Sequence, residues 1–484
     1  MSPSPRASTD RLLGDVETYP DVIEHNTSTD IPESQKHIEK SLLRKLDLRT
    51  FFLVFVYIMN HVDRSNVAAA RLKGLEEDLH MTGRQFNTLV SVMYIGYVPM
   101  QIPSNIFLDR LRRPSAYLSF CIFMWGIFSM STGAATSFHD ALLPRFLLGL
   151  SEAAYYPGVI FLLSRWYKRN ELGLRMVYLV CGASASKVIG PLTASAILGT
   201  MDGKFGYAAW RWLFFIEGAF TCALTVVALY MIPDYPDTPA SWLTVDEQIL
   251  AQKRMVEDTC GIEDDPLKSP RRSGLMEALA DWTVWWLAIA AISEKTMMSF
   301  ENFFPTLAAT LGYSPTISLF LCAPPWVLGV TTSFFIMRHS DATRERFWHT
   351  VCPILIGIIG FSAATLTMNT AIRYLSLFFM AQSSVAYTIA LAWASNSISE
   401  SSSKRAVALA FINAFSGLGD IGASYLWVSS WGPSYSKSYL ACILAAMISI
   451  MMLWMYRIHL IRLNRDAERN ERVLGLSAGF RYIT

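Results

Sequence analysis

Acids and bases sit where a chain rarely tolerates them. Asp63 and Arg64 stand side by side at the exit of a run that opens Phe51-Phe52-Leu53-Val54-Phe55-Val56-Tyr57-Ile58-Met59. Arg145 and Glu152 lie seven residues apart inside another apolar run, two helical turns, so they share a helix face. Lys187, Glu217, the neighbours Glu294 and Lys295, Glu301 and Asp420 interrupt four more such runs. A charge deep in a membrane helix costs roughly 2.5–3.5 kcal/mol on insertion scales, so each needs a partner or a pathway. Fixed guanidinium and ammonium groups in a dry cavity bind carboxylates, and arginine does so with a planar two-pronged fork. Neighbouring carboxylic acids can take up protons and release them. Glu152, with about another thirteen apolar residues behind it, has no route for its head group to the interface, so it requires either a cation or a bound proton.

The elements that must position these residues are long and apolar. The 484 residues are 52% hydrophobic and only 17% charged, with charge gathered between hydrophobic blocks. Soluble domains carry ~25% charge, so the composition describes an all-α polytopic membrane protein. A span needs ~20 apolar residues. Six segments of that kind lie between residues 47 and 232, and six more between 282 and 462. A polar tail over 1–46, expected to be disordered, a polar loop over 233–281 and a tail over 463–484 complete the division. Two six-helix bundles around a loop suggest an internal repeat, the plan of many secondary transporters.

Basic residues orient the chain. Arg110, Arg112 and Arg113, then Arg165, Lys168, Arg169 and Arg175, then Arg338, Arg344 and Arg346, then Lys404 and Arg405 occupy alternate loops. Both termini and the central loop are therefore expected in the cytosol. The loop after the second span places Asp109 ahead of Arg113, and the loop after the eighth places Asp341 ahead of Arg344. Acid before base at matching positions of the two halves is read as a cytosolic gate.

Several function classes drop out. A net charge of +2 without a basic, aromatic-interleaved tract gives nucleic acid no footprint. No GxxxxGK[ST] loop is present, so ATP is not the driving force. No nucleophilic triad or metal-ligand spacing occurs, and six of the seven cysteines lie inside apolar runs, with Cys260 in the central loop. The chain is not expected to be an enzyme or to carry a cofactor. A proton gradient is the expected driving force.

One stretch carries a family resemblance. Asp63-Arg64-Ser65-Asn66-Val67, followed by Arg71 and Gly74-Leu75-Glu76-Glu77-Asp78-Leu79, resembles the signature of the fungal anion:cation symporters, the allantoate-permease branch of the major facilitator superfamily. The likeness continues through Pro99 to Asn105, Arg145 to Ala153, Pro157-Gly158-Val159, Trp166-Tyr167, Trp210 to Gly218 and Trp242 to Glu247. It weakens in the second half to Trp393-Ala394-Ser395-Asn396, Lys404-Arg405 and Pro433-Ser434-Tyr435. The resemblance implies twelve helices in two pseudo-symmetric halves and proton-coupled movement of a small organic anion by alternating access at the plasma membrane. It implies proton coupling at Asp63 and Glu152 and substrate binding at Arg64 and Arg145. Lys187, Asn66, Glu294 and Asn396 are added to the substrate-binding set. The superfamily's gate motif falls on Asp109 to Arg113, with Asn105 and Arg112 where glycine is usual. Ala69, Lys187, Asp420 and the Glu294-Lys295 pair also depart from the family pattern, which implies a re-lined cavity. A monomer in the bilayer is expected. An exporter of an acidic metabolite is the alternative, and a nutrient sensor is disfavoured by the short tails.

Overall fold

Helices dominate because, in lipid, every backbone polar group must be satisfied within the segment. The computed structural model describes residues 33–260, 274–398, 402–474, 479 and 481–484. Twelve long helical segments follow one another: α1 (Glu33–Arg71), α2 (Gly83–Arg110), α3 (Pro114–Gly133), α4 (Phe138–Ser164), α5 (Arg169–Thr200), α6 (Ala209–Met231), α7 (Trp282–Met298), α8 (Pro315–Thr343), α9 (Phe347–Leu366), α10 (Thr370–Ser397), α11 (Ser402–Ser424) and α12 (Ser436–Leu474). Nine helices among the described residues are long and apolar enough to cross a membrane. The segments α1 and α2 fall outside that set because polar and charged residues dilute them, and α7 because its α-helical part is only 17 residues long. Helix α7 continues through a 3₁₀ stretch, Ser299–Phe303, into Phe304–Ala309.

The expected repeat shows in one shared irregularity. Helices α4 and α10, six positions apart, are both interrupted midway, at Ala153-Ala154 and at Ser383-Ser384. Glycine sets the closest helix crossings, as small residues do in membrane bundles. A Cβ on Gly149 would stand 2.0 Å from the Met93 carbonyl oxygen, and one on Gly96 would stand 2.4 Å from that of Phe146. The backbones of α2 and α4 therefore touch. Gly126 and Gly218 make the same kind of contact between α3 and α6.

With an even number of antiparallel spans, both chain ends lie at one end of the bundle, the terminal face. The hydrophobic clusters show how the halves meet. At the far face one cluster joins both halves, from Phe86, Leu198 and Trp210 to Phe303, Leu319 and Trp427. Toward the terminal face the halves keep separate cores, one around Leu46, Trp125 and Leu163 and the other around Val284, Trp393 and Leu460. The two halves are packed together at the far face and splayed at the terminal face.

Polar segments outside the membrane are more ordered than their composition suggested. Helix α1 starts at Glu33, so 33–46 of the expected tail is helical, and Leu42 and Leu46 are buried. The first 32 residues lie outside the described set. Within the central loop, the helix Val245–Cys260 packs on the first half through Lys45–Glu247 at 2.7 Å, Arg254–Glu39 at 3.0 Å and Arg254–Glu171 at 2.5 Å. Likewise α12 runs to Leu474, twelve residues beyond the expected end of the last span. An amphipathic face, not overall hydrophobicity, holds these pieces helical.

Candidate functional site

Between the halves lies a cavity of about 350 Å³, with walls from α1, α2, α4 and α5 on one side and α7, α8, α10 and α11 on the other. Tyr57, Tyr94, Tyr97, Trp326 and Tyr387 line it, and the ionisable residues Arg64, Arg145, Lys187, Lys295, Glu301 and Asp420 reach it.

Asp63 and Arg64 part company because consecutive residues of an α-helix point about 100° apart. Arg64 faces the cavity and its Nε donates to Glu152 of α4 at 2.6 Å. The guanidinium also stacks over the Tyr97 ring at 4.2 Å. Asp63 turns into the core of the first half. Its Oδ2 accepts from Trp125 Nε1 at 3.1 Å and Thr221 Oγ1 at 3.2 Å, and its Oδ1 from Ser129 at 3.4 Å. Asn66, one turn on, donates to Glu217 at 2.5 Å, and Thr193 approaches the other Glu217 oxygen at 3.4 Å. Neither Asp63 nor Asn66 reaches the cavity wall. Glu217, one of the acids that interrupt the apolar runs, closes a polar network between α1, α5 and α6.

Arg145 is 2% exposed, and neither its Nε nor its Nη1 has a hydrogen-bond partner among the described residues. The other three cations at the cavity are paired. Arg64 has Glu152, Lys187 has Glu301 at 2.7 Å, and Lys295 has Asp420 at 3.8 Å. Each paired cation also lies over an aromatic face, Lys187 on Trp326 at 4.3 Å and Lys295 on Tyr387 at 4.6 Å. Buried polar groups normally find partners, so an orphaned guanidinium facing a cavity is where a ligand's acceptor would go.

Besides Asn66, two more expected substrate residues lie elsewhere. Glu294 is buried away from the cavity, with Ser449 of α12 donating to it at 3.3 Å. A spacing of seven residues would put Glu294 and Glu301 on one face of an uninterrupted α-helix. The switch from 3.6 to about 3 residues per turn at Ser299 breaks that phase, so Glu301 enters the cavity and Glu294 faces α12. Asn396 is exposed near the terminal end of α10 and does not line the cavity.

The two acids of the expected gate pair within their own halves. Asp109 meets Arg165 at 3.3 Å with both side chains more than half exposed, and Asp341 meets Arg346, not Arg344, at 2.6 Å. Arg344 caps α8 in a left-handed conformation, φ 51°, and Arg113 sits ahead of the first residue of α3. The halves stand apart at this face, so acid and base have no partner to reach across to. At the far face they are tied instead: Arg71 donates to Ser429 Oγ at 2.5 Å, Asn87 to the Ser424 carbonyl at 2.6 Å and Ser195 to that of Thr316 at 3.0 Å. Sequence reasoning missed these residues, together with the aromatic lining. With 62 aromatic residues spread over every span, no local signal marks the seven that face the cavity.

Comparison with known proteins gives this geometry a context. The sequence profile of the Major Facilitator Superfamily matches residues 53–424. The MFS-type transporter cnsO of Penicillium expansum is 30% identical over 437 residues, covering 86% of this chain and 83% of its own. A protein of Agrobacterium vitis provisionally named a tartrate transporter is 30% identical over 332 residues, 68% of this chain and 74% of its own. Among solved structures, a bacterial homologue of the human lysosomal transporter Spinster, inward-facing and occupied, superposes with a TM-score of 0.68 at 17% identity. That superposition covers 85% of this chain and 97% of the homologue and speaks for the fold.

Proposed function

This chain belongs to the major facilitator superfamily, a multi-pass membrane transporter and not an enzyme, and from that premise we propose that it carries a small organic anion together with protons by alternating access. The observation that carries the reading is Arg145. It is the one cavity cation, among the described residues, with no carboxylate oxygen within ion-pair distance. Four cations against three carboxylates leave one positive charge when all are ionised, which suits a carboxylate cargo. A guanidinium with two open donors binds such a group through charge-assisted hydrogen bonds. The name given to the Agrobacterium vitis relative, a tartrate transporter, lies in the same chemical class.

Proton coupling falls to Glu152 and Asp63. Glu152 holds Arg64 two helical turns along α4 from Arg145, so protonating it frees a second guanidinium for cargo. Asp63 is enclosed by three neutral donors, Trp125, Thr221 and Ser129, a setting in which a carboxyl can exist with or without its proton. The terminal face is taken as cytosolic from the basic loops, the membrane as the plasma membrane, and the working unit as a monomer. The described state is then inward-open. Asp109, Arg113, Asp341 and Arg344 would close the cytosolic side only once the halves have rocked together.

The test is uptake of labelled tartrate and a panel of mono- and dicarboxylates into proteoliposomes, with and without an inward proton gradient. Gradient-driven accumulation of a carboxylate establishes cargo class and coupling. Accumulation of no carboxylate in either direction by correctly inserted protein would sink the reading.

A further inference from the structure

Lys187 and Glu301 form an ion pair that crosses from one half to the other inside the cavity. Lys187 belongs to α5. Glu301 belongs to the 3₁₀ stretch that interrupts the seventh span, and its neighbour Asn302 makes a second tie across the gap, accepting from Tyr94 at 3.1 Å. Both charged side chains keep access to the cavity, at 26% and 20% exposure, so the pair is reachable by whatever enters. From these positions we infer that Glu301 is a tethered carboxylate occupying the Lys187 site, which a cargo carboxylate displaces, and that Glu301 takes up a proton as it leaves.

The exchange balances in atoms and charge. The ammonium of Lys187 ends on the cargo carboxylate, and the Glu301 carboxylate gains one proton from the open side and becomes a neutral acid. One anion and one proton enter together, and the net charge of the cavity is unchanged. The alternative, an ionised Glu301 without a cation, leaves a charge uncompensated in a low-dielectric space, which is strongly unfavourable. The cation nearest along its own segment, Lys295, already holds Asp420 of α11 and stacks on Tyr387 of α10. Arg64 and His61 face the space from α1, Arg145 from α4 and Tyr94 from α2. Arg64 is committed to Glu152. Because the pair spans the halves, its replacement also hands one of the cross-cavity ties to the cargo, which links loading to rocking of the halves. This inference rests on the organic-anion reading for its physiological meaning but not for its test.

The probe is formate, the smallest carboxylate, added to the purified full-length protein in nanodiscs. Thermal unfolding midpoint and proton uptake from a weakly buffered solution are followed between pH 6 and 8. In the wild type, formate binding is expected to tighten as pH falls, by up to roughly tenfold per pH unit for one linked proton. Glu301→Gln, which keeps the shape without the charge, should bind formate at pH 8 about tenfold more tightly than wild type and lose the linked proton. Glu301→Asp should retain the pH dependence. Adding Lys187→Ala to Glu301→Gln should remove the gain. An Glu301→Gln variant with wild-type affinity and proton uptake overturns the inference, as does a gain that survives loss of Lys187. If these expectations hold while no carboxylate is transported in proteoliposomes, the role of Glu301 stands and the organic-anion reading falls.

Discussion

At the scale of single residues, division of labour follows from which direction a side chain leaves its helix. Arg64 and Asp63 are neighbours in sequence and occupy different environments, one in the cavity and one in a core of neutral donors. Replacing Glu152 with Gln keeps a hydrogen-bond acceptor for Arg64 but removes the ionisable group. Gradient-driven accumulation should be lost while exchange of cargo across the membrane persists. Unchanged accumulation in proteoliposomes would take Glu152 out of the coupling. Arg145→Lys keeps the charge and loses the fork. With charged hydrogen bonds contributing about 1.5–3 kcal/mol, cargo affinity should fall by roughly tenfold or more, and an unaltered Kd would refute the assignment. The charged positions were legible in sequence because an ionisable group within an apolar run is rare. Their pairing was not, since Lys187 meets Glu301 across 114 residues and Arg64 meets Glu152 across 88.

At the scale of elements, glycines and one ion-paired loop helix fix how the pieces dock. Gly149→Ala would drive a methyl group into the Met93 carbonyl and force α2 and α4 apart. Overpacking of this kind costs about 1–3 kcal/mol, so the unfolding midpoint in detergent should drop. Gly173→Ala is the control, because nothing lies within 4 Å of its added carbon, and its midpoint should hold. The loop helix supplies a pH prediction outside the membrane. Burial pushes the Glu247 carboxyl upward, but hydrogen bonds from Lys45, Ser41 and the Thr244 backbone outweigh it and bring its pKa from 4.5 down to about 2. A depressed carboxylate stabilises the folded form above its unfolded value and loses that contribution as pH falls through the folded one. Docking of this helix should therefore hold at pH 5–8 and loosen between pH 4.5 and 2. Limited proteolysis of the central loop would report it, and Glu247→Gln should loosen the helix already at pH 7.

At the scale of the molecule, the bundle rests in one of two arrangements. A shared hydrophobic cluster and the Arg71, Asn87 and Ser195 bonds hold the far face shut, while separate cores leave the terminal face open. Alternating access requires a second state of comparable free energy, in which those contacts part. Arg71 bonds Ser429, pairs with Glu76 at 3.1 Å and stacks on Phe86 at 4.2 Å. Arg71→Ala should shift the population toward opening of the far face. Spin-label distances between the far ends of α2 and α11 should lengthen in the variant. An unchanged distance distribution would show that the apolar cluster alone keeps the face closed.

The sequence by itself determined the class of the molecule. Scarcity of charge and runs of apolar residues specify membrane helices, since each helix satisfies its own backbone and its character is written in about twenty consecutive residues. It also marked which spans carry ionisable groups, and so bounded the candidate site to a handful of positions. What only the tertiary structure decided was partnership. The 3₁₀ stretch at Ser299 turned Glu301 into the cavity while Glu294, in the regular helix ahead of it, faces α12, and the cavity's ion pairs join helices far apart in the chain. Helix phase beyond an irregularity, and which half-bundle faces meet, depend on contacts between residues hundreds of positions apart. Local spacing carries no record of them.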